Sequence, residues 1–354
     1  MGIFLFLYFL LVILVIINKR NDRVGTIVLT CMALFNAFRG YYVGSDTKNY
    51  YRNQFYGEFS LDFSSSYELE WIFQSISAFI RDSGLDSRWC LYSLSIITYI
   101  FLYLSYKRYN KQLGTSLILI LLFYFVFDFY SISFNIARQC TAVSILLYAY
   151  SFLYSDKRQF FFIYVILASG FHVSSILFAF LYLIRNFNIS KFKDKELICL
   201  SYVFLILVFI GKIYIWDIIV SSFPIFSIYE ALMDDTEIGS FSILSLFLEA
   251  FRLSLGLYVF IRLRELRQDK YNTLLYLGLL AVILMDSFYG NVTRIFYGIS
   301  IIRVISFATL FSHRRLSKND KIVFVISVFF YGLFTLSSLN NGAYEIVPYE
   351  FDLL

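Results

Sequence analysis

Runs of apolar residues that extend for the depth of a bilayer constrain this chain more than any other feature. Residues 2–18 (GIFLFLYFLLVILVIIN), 201–211 and 322–339 carry almost no charge. A helix needs about 20 mostly apolar residues to cross the hydrocarbon core. In lipid an unpaired backbone amide costs several kcal/mol, so such runs become helices or strands of a closed barrel. Barrel strands alternate apolar and polar residues, and these runs do not alternate. Composition agrees: 59% of the 354 residues are hydrophobic, 16% are charged, and the mean hydropathy is +0.70. A soluble domain carries roughly 25% charged residues. The fold class expected is therefore an all-α polytopic membrane protein with no sizeable soluble domain.

Several function classes find no support. Cys31, Cys90, Cys140 and Cys199 stand apart, without a CxxC pair or a histidine at ligand spacing, and read as small apolar fillers. There is no Walker motif, dinucleotide fingerprint, HExxH or internal repeat. The net charge of +5 comes from residues at the edges of the apolar runs, so no nucleic-acid partner is expected. Met1 to Ile17 lacks a basic leader and runs into Lys19-Arg20, which suits an uncleaved anchor. No carboxylate cluster has metal-like spacing, so no metal or other cofactor is expected.

Lys and Arg gather in cytoplasmic loops, and that bias sets orientation. Six short clusters, at 19–23, 107–111, 157–158, 185–195, 262–270 and 314–321, hold 20 of the 30 basic residues. Seventeen of the 25 acidic residues fall in the complementary segments. Both termini are thus expected outside, with spans near 2–18, 24–38, 89–106, 113–130, 137–154, 196–211, 241–261, 271–287, 295–311 and 322–339. About ten transmembrane helices result, in a single integral membrane domain over 1–354. Residues 159–184 lie between two basic clusters and are too short for two full crossings. A re-entrant helix pair turning at Gly170-Phe171-His172 satisfies the charge rule. A first periplasmic loop is expected at 39–88, containing an amphipathic interfacial helix at 67–80 (YELEWIFQSISAFI), and a second loop at 212–240.

Ionisable groups in or near hydrocarbon are costly and mark candidate sites. Arg39, Asp46 and Tyr50 stand in FRGYYVGSDTKNYY at 38–51, and Asn135, Arg138 and Gln139 in FNIARQ at 134–139. His172 stands in GFHVSS at 170–175. Glu249 and Arg252 share one face of a span, Asp286 and Arg294 flank the turn before the ninth, and Arg303 lies inside it. Each has a plainer reading beside the functional one. Glu249 and Arg252 can form an internal ion pair, Arg303 can pair with a neighbouring helix, and a lone histidine can be a packed, satisfied side chain. Arg39, Arg138 and Arg294 fall at the outer boundary, where cytoplasmic snorkelling cannot place them. Guanidinium forks match phosphate bidentately, which points to a bound anion.

Those same stretches, with VPYEF at 347–351, resemble the EpsG family, which groups with Wzy-type O-antigen and capsular polysaccharide polymerases. The resemblance runs from about residue 35 to the end, with Ser45 where threonine is more usual. It implies a GT-C-like membrane glycosyltransferase of the bacterial inner membrane with its active site facing the periplasm. It further implies undecaprenyl-diphosphate-linked oligosaccharide as both donor and acceptor, and a possible chain-length regulator as partner. On chemical grounds Arg138 and Arg294 would neutralise the departing diphosphate. Arg39, Tyr50, Asn135, Gln139 and Arg252 would bind substrate, and Asp46 or His172 would accept the hydroxyl proton. An O-antigen ligase or another lipid-linked glycosyltransferase is the first alternative, and a flippase of lipid-linked glycan the second.

Overall fold

In the computed structural model, residues 1–51, 70–187, 189–222, 243–267, 270–287 and 291–350 are described. They are helical, joined by short turns. The chain divides into two compact units, one of residues 1–182 and 307–354, the other of residues 183–306.

In the first unit α1 (Gly2–Asn18) and α2 (Asp22–Ala37) lead to a short α3 (Thr47–Tyr51), then α4 (Trp71–Asp82) and α5 (Arg88–Leu113). These are followed by α6 (Leu117–Val126), α7 (Phe129–Ile132), α8 (Ala137–Leu153) and α9 (Gln159–Ser169). A 3₁₀ helix (Val173–Phe180) continues into α10 (Leu181–Ile184). The second unit holds α11 (Asp194–Ser222), α12 (Ile243–Glu265), α13 (Asn272–Ser287), α14 (Asn291–Ser300) and the start of α15 (Ile302–Ser312). The rest of α15 and α16 (Lys318–Asn340) return to the first unit.

Four described helical stretches are long and apolar enough to cross a membrane: Arg88–Leu113, Leu244–Glu265, Arg294–Ser312 and Lys318–Asn340. Shorter apolar helices cover other expected spans, among them Gly2–Asn18, Leu117–Val126 and Asn272–Met285. On α16 the exposed face is Ile322, Val325, Ile326, Phe329, Leu333 and Phe334. In water so large an apolar face would mark a binding surface or an aggregation hazard; against lipid it costs nothing. This is the surface of an α-helical membrane protein.

The expected span at 113–130 is divided. Helix α6 stops at Val126 because Asp128 takes φ 69, a left-handed conformation, and α7 starts afresh at Phe129. Helix α11 runs to Ser222, beyond the expected end of that span at 211, and residues 223–242 lie outside the described set.

The core of the first unit lies around α6 and α8. Every residue of α6 is buried, as is nearly all of α8, the signature of helices apolar on all sides. Several of the polar groups there are paired. Thr98 and Thr141 share a 2.8 Å hydrogen bond between α5 and α8, and Tyr109 Oη donates to Leu147 O at 3.0 Å. Arg108 donates to Ser151 Oγ at 2.6 Å with its guanidinium 3.6 Å from the centre of the Phe152 ring. Helix α9 and the segment after it form a hairpin: Tyr182 packs on Phe161 and Phe162, with ring centres 6.5 and 4.8 Å away. His172 therefore sits at the turn. In the second unit α13 packs against α11, α12 and α14, and Tyr276 Oη accepts from Ser201 Oγ at 2.9 Å.

Candidate functional site

The turn after α2 begins the site. Gly44 has φ +93, and a Cβ there would stand 2.4 Å from the Phe134 carbonyl oxygen, so only glycine lets the VGSDT turn lie on the FNIARQ backbone. Asn135 fixes that contact from the other side. Its Oδ1 accepts from Ser45 Oγ at 2.6 Å and from the Asp46 N–H at 2.8 Å. The segment after α16 closes the turn from a third side, where the N–H groups of Gly40, Gly44 and Ser45 donate to the carbonyls of Glu350, Glu345 and Tyr344. Tyr344 Oη reaches Asp128 Oδ2 at 2.7 Å, so the residue that divides α6 from α7 also anchors this segment.

Arg39 is 1% exposed. It donates through Nε to Thr47 Oγ1 at 3.2 Å and through Nη1 to Asn36 O at 3.0 Å, with Phe134 beneath its guanidinium. These contacts tie Arg39 to the turn and to the end of α2. Asp46 is half-buried, and among the described residues its carboxylate takes no hydrogen bond. Gln139 is buried in the first turn of α8.

Arg138 also lies in that first turn, where the helix dipole disfavours a cation. Its backbone N–H donates to Tyr50 Oη at 3.1 Å, so the phenol caps α8. Burial pushes the Tyr50 hydroxyl above the ordinary tyrosine pKa, while the Arg138 charge and hydrogen bond work against that shift. The Arg138 guanidinium lies over the rings of Tyr50 and Phe73, 5.8 and 5.2 Å from their centres. Its Nη1 donates to Glu70 Oε2. The other oxygen of that carboxylate, Oε1, stands 2.7 Å from His172 Nδ1.

Glu70 is thus a hinge between the two residues that sequence singled out, and sequence reasoning passed over it. Its side chain is 4% exposed, against 19% for Arg138 and 21% for His172. An ionised carboxylate only accepts, so in the neutral ring the proton belongs on Nδ1, facing Glu70, and the lone pair on Nε2. Among the described residues Nε2 carries no hydrogen bond. The hairpin turn locks this arrangement. The N–H groups of Ile72 and Phe73 donate to Gly170 O at 3.0 and 3.2 Å, placing the start of α4 on the turn that carries His172. A Cβ at Gly170 would meet Ile72 at 2.5 Å.

The expected amphipathic helix at 67–80 is observed over Trp71–Asp82, with 67–69 outside the described residues. Its buried face is Phe73, Gln74, Ser77 and Ile80. In the second unit Arg252 and Glu249 form an ion pair along α12 at 2.6 Å, both largely buried. Arg294 is half-buried in the first turn of α14, and Arg303 donates to Ser300 O at 3.2 Å. The side chain of Asp286 lies outside the described residues.

What the first unit assembles is a cation, an imidazole whose Nε2 carries no hydrogen bond among the described residues, and a half-buried carboxylate, all near helix ends. Such a set can bind an anion and accept a proton. No metal-holding group of His, Cys, Asp and Glu occurs among the described residues. Compared with known families, residues 22–351 match the EpsG family model. No curated protein and no solved structure matches.

Proposed function

The chain belongs to the EpsG family, and from that premise we propose that it is a polysaccharide polymerase, joining oligosaccharide repeat units carried on undecaprenyl diphosphate. Membership in that family fits polysaccharide polymerisation in a general sense; to that we add the lipid carrier and the periplasmic face of the bacterial inner membrane. One observation carries it: Arg138 and His172, from separate sequence motifs, are held by the two oxygens of one buried carboxylate.

The chemistry follows from those groups. A hydroxyl oxygen on the non-reducing end of one lipid-linked unit attacks the anomeric carbon of the growing chain. The new carbon–oxygen bond forms as the bond from that carbon to the diphosphate oxygen breaks. The electron pair leaves with the diphosphate. The hydroxyl proton passes to His172 Nε2, with Glu70 holding the ring by Nδ1. A positioned base contributes roughly 10²–10⁴-fold. Arg138 meets the charge that grows on the diphosphate, a preorganised electrostatic contribution. Asp46, whose carboxylate is uncommitted among the described residues, hydrogen-bonds acceptor sugar hydroxyls. Aromatic side chains near the turn supply faces for sugar rings.

The test uses purified full-length protein and a defined undecaprenyl-diphosphate-linked repeat unit, with products resolved as a gel ladder. A ladder from the native chain, reduced almost to single units by Arg138→Ala or His172→Ala at unchanged expression, is the expected result. Unchanged long products from either variant would overturn the assignment. In cells, loss of a polymerase leaves one repeat attached, whereas loss of a ligase leaves none.

A further inference from the structure

Helix α2 separates the site from a second charged feature of the first unit. Its 16 residues span about 24 Å. Arg39 follows its last turn, and Lys19 and Arg20 precede its first. There the ends of α1, α6, α15 and α16 enclose a groove of about 680 Å³ lined by Lys19, Arg20 and Lys321 and by Val15, Leu119 and Phe324, with other apolar residues. That volume lies within the roughly 300–1,000 Å³ of small-ligand pockets.

Part of the charge has a simple account. Lys19 Nζ donates to Phe311 O at 2.6 Å and Arg20 Nη2 to Ser312 O at 2.7 Å. Both cations therefore meet the last carbonyls of α15, where the dipole favours them. That account uses one donor of each and none of Lys321. An ammonium has three donors and a guanidinium five. Among the described residues no carboxylate pairs with any of the three. Burial, then the charges of Arg20 and Lys321, push Lys19 below the ordinary lysine pKa. Three cations with no counter-charge beside an apolar wall are complementary to an amphiphile with an anionic head. A free anion would gain nothing from Leu119, Phe311 and Phe324.

We propose that this groove binds a phospholipid with an anionic headgroup, its phosphate on Lys19, Arg20 and Lys321 and an acyl chain along the apolar wall. Basic pockets between membrane helices take such headgroups. The inference stands apart from the catalytic reading and holds or fails without it.

The test is thermal melting and native mass spectrometry of the full-length protein in detergent, with phosphatidylglycerol, phosphatidylcholine or inorganic phosphate added. Phosphatidylglycerol should bind and stabilise well beyond phosphatidylcholine, and inorganic phosphate should not reproduce the shift. Each cation near a phosphate contributes about fivefold, so Lys321→Gln should weaken phosphatidylglycerol binding by about that factor. Lys318→Gln, which removes a charge from the same helix end but outside the groove, should leave it unchanged. Equal effects of the two lipids, a matching shift from inorganic phosphate, or equal losses in the two variants would each overturn the proposal.

Discussion

Replacing Glu70 by glutamine keeps the shape of the side chain, removes its charge and turns one of its two acceptor oxygens into an amide donor. The consequences follow from its two partners. Arg138 would lose its carboxylate while remaining 19% exposed, and His172 would lose the acceptor 2.7 Å from Nδ1. Breaking a buried ion pair by removing one partner costs about 3–5 kcal/mol, and the partial exposure of Arg138 and His172 argues for about 3. Turnover should suffer separately, because an amide can present an N–H to Nδ1 and so invert the ring tautomer. The proton would then sit on Nε2, where the acceptor hydroxyl needs a lone pair. A loss of about 10²-fold or more in kcat is expected, with a smaller change in KM for the lipid-linked unit. The assay is the gel ladder against time, with thermal melting of each variant in detergent. Glu70→Asp keeps the charge but withdraws it by one carbon, so it should recover the melting temperature more fully than the turnover. The decisive comparison is made in the His172→Ala background. If Glu70 acts through His172, adding Glu70→Gln there should lower turnover little further, because the effects of coupled residues do not add. Wild-type turnover in the single variant, or fully additive losses in the double one, would refute the reasoning.

Other outcomes follow from the same geometry. Gly44→Ala combines a positive φ with a clash against the Phe134 carbonyl, which no rotamer relieves, and should lower the melting temperature and abolish the ladder together. Gly170→Ala meets the side chain of Ile72 first, so Ile72→Ala in the same chain should restore much of what it loses. Tyr50→Phe removes the acceptor for the Arg138 N–H and should cost about 1 kcal/mol in urea or thermal unfolding. The folded-state pKa of Tyr50 is raised, so its contribution is present below the unfolded value near 10 and fades as pH climbs past it; the alkaline loss of stability should flatten in the phenylalanine variant. Chelators such as EDTA should leave the ladder unchanged.

The class of fold was legible because apolar runs of bilayer length admit few alternatives. The turn at His172 was legible from charge alone, since residues 159–184 are bounded by basic clusters yet too short to cross twice. The break at Asp128 was not. Residues 125–131 (FVFDFYS) contain no proline or glycine, and the left-handed conformation there is held by Tyr344, far along the chain. Glu70 was hidden for a similar reason, with His172 102 residues away. A signal was nevertheless present. Glu70 precedes Phe73, Ser77 and Ile80 at helical spacing, so it lies on the stripe that packs inward. An acid on the apolar side of an amphipathic helix needs a cationic partner, and the arginine of FNIARQ was already marked as a costly charge at the outer boundary. The contacts of Arg39 with Thr47 and Asn36 were not legible, because neutral acceptors carry no charge signal.

The hydrogen bonds from Gly40, Gly44 and Ser45 to the segment after α16 have a consequence for biogenesis. A ribosome delivers the glycine turn early and its partner only after every intervening helix has been made. Until α16 is inserted, three amides of that turn have no protein acceptor, and Arg39 is being packed against an unfinished wall. The turn that carries Asp46 can therefore take up its final geometry only after the segment following α16 has been made. A polypeptide terminated before that segment would hold the motif residues without the geometry.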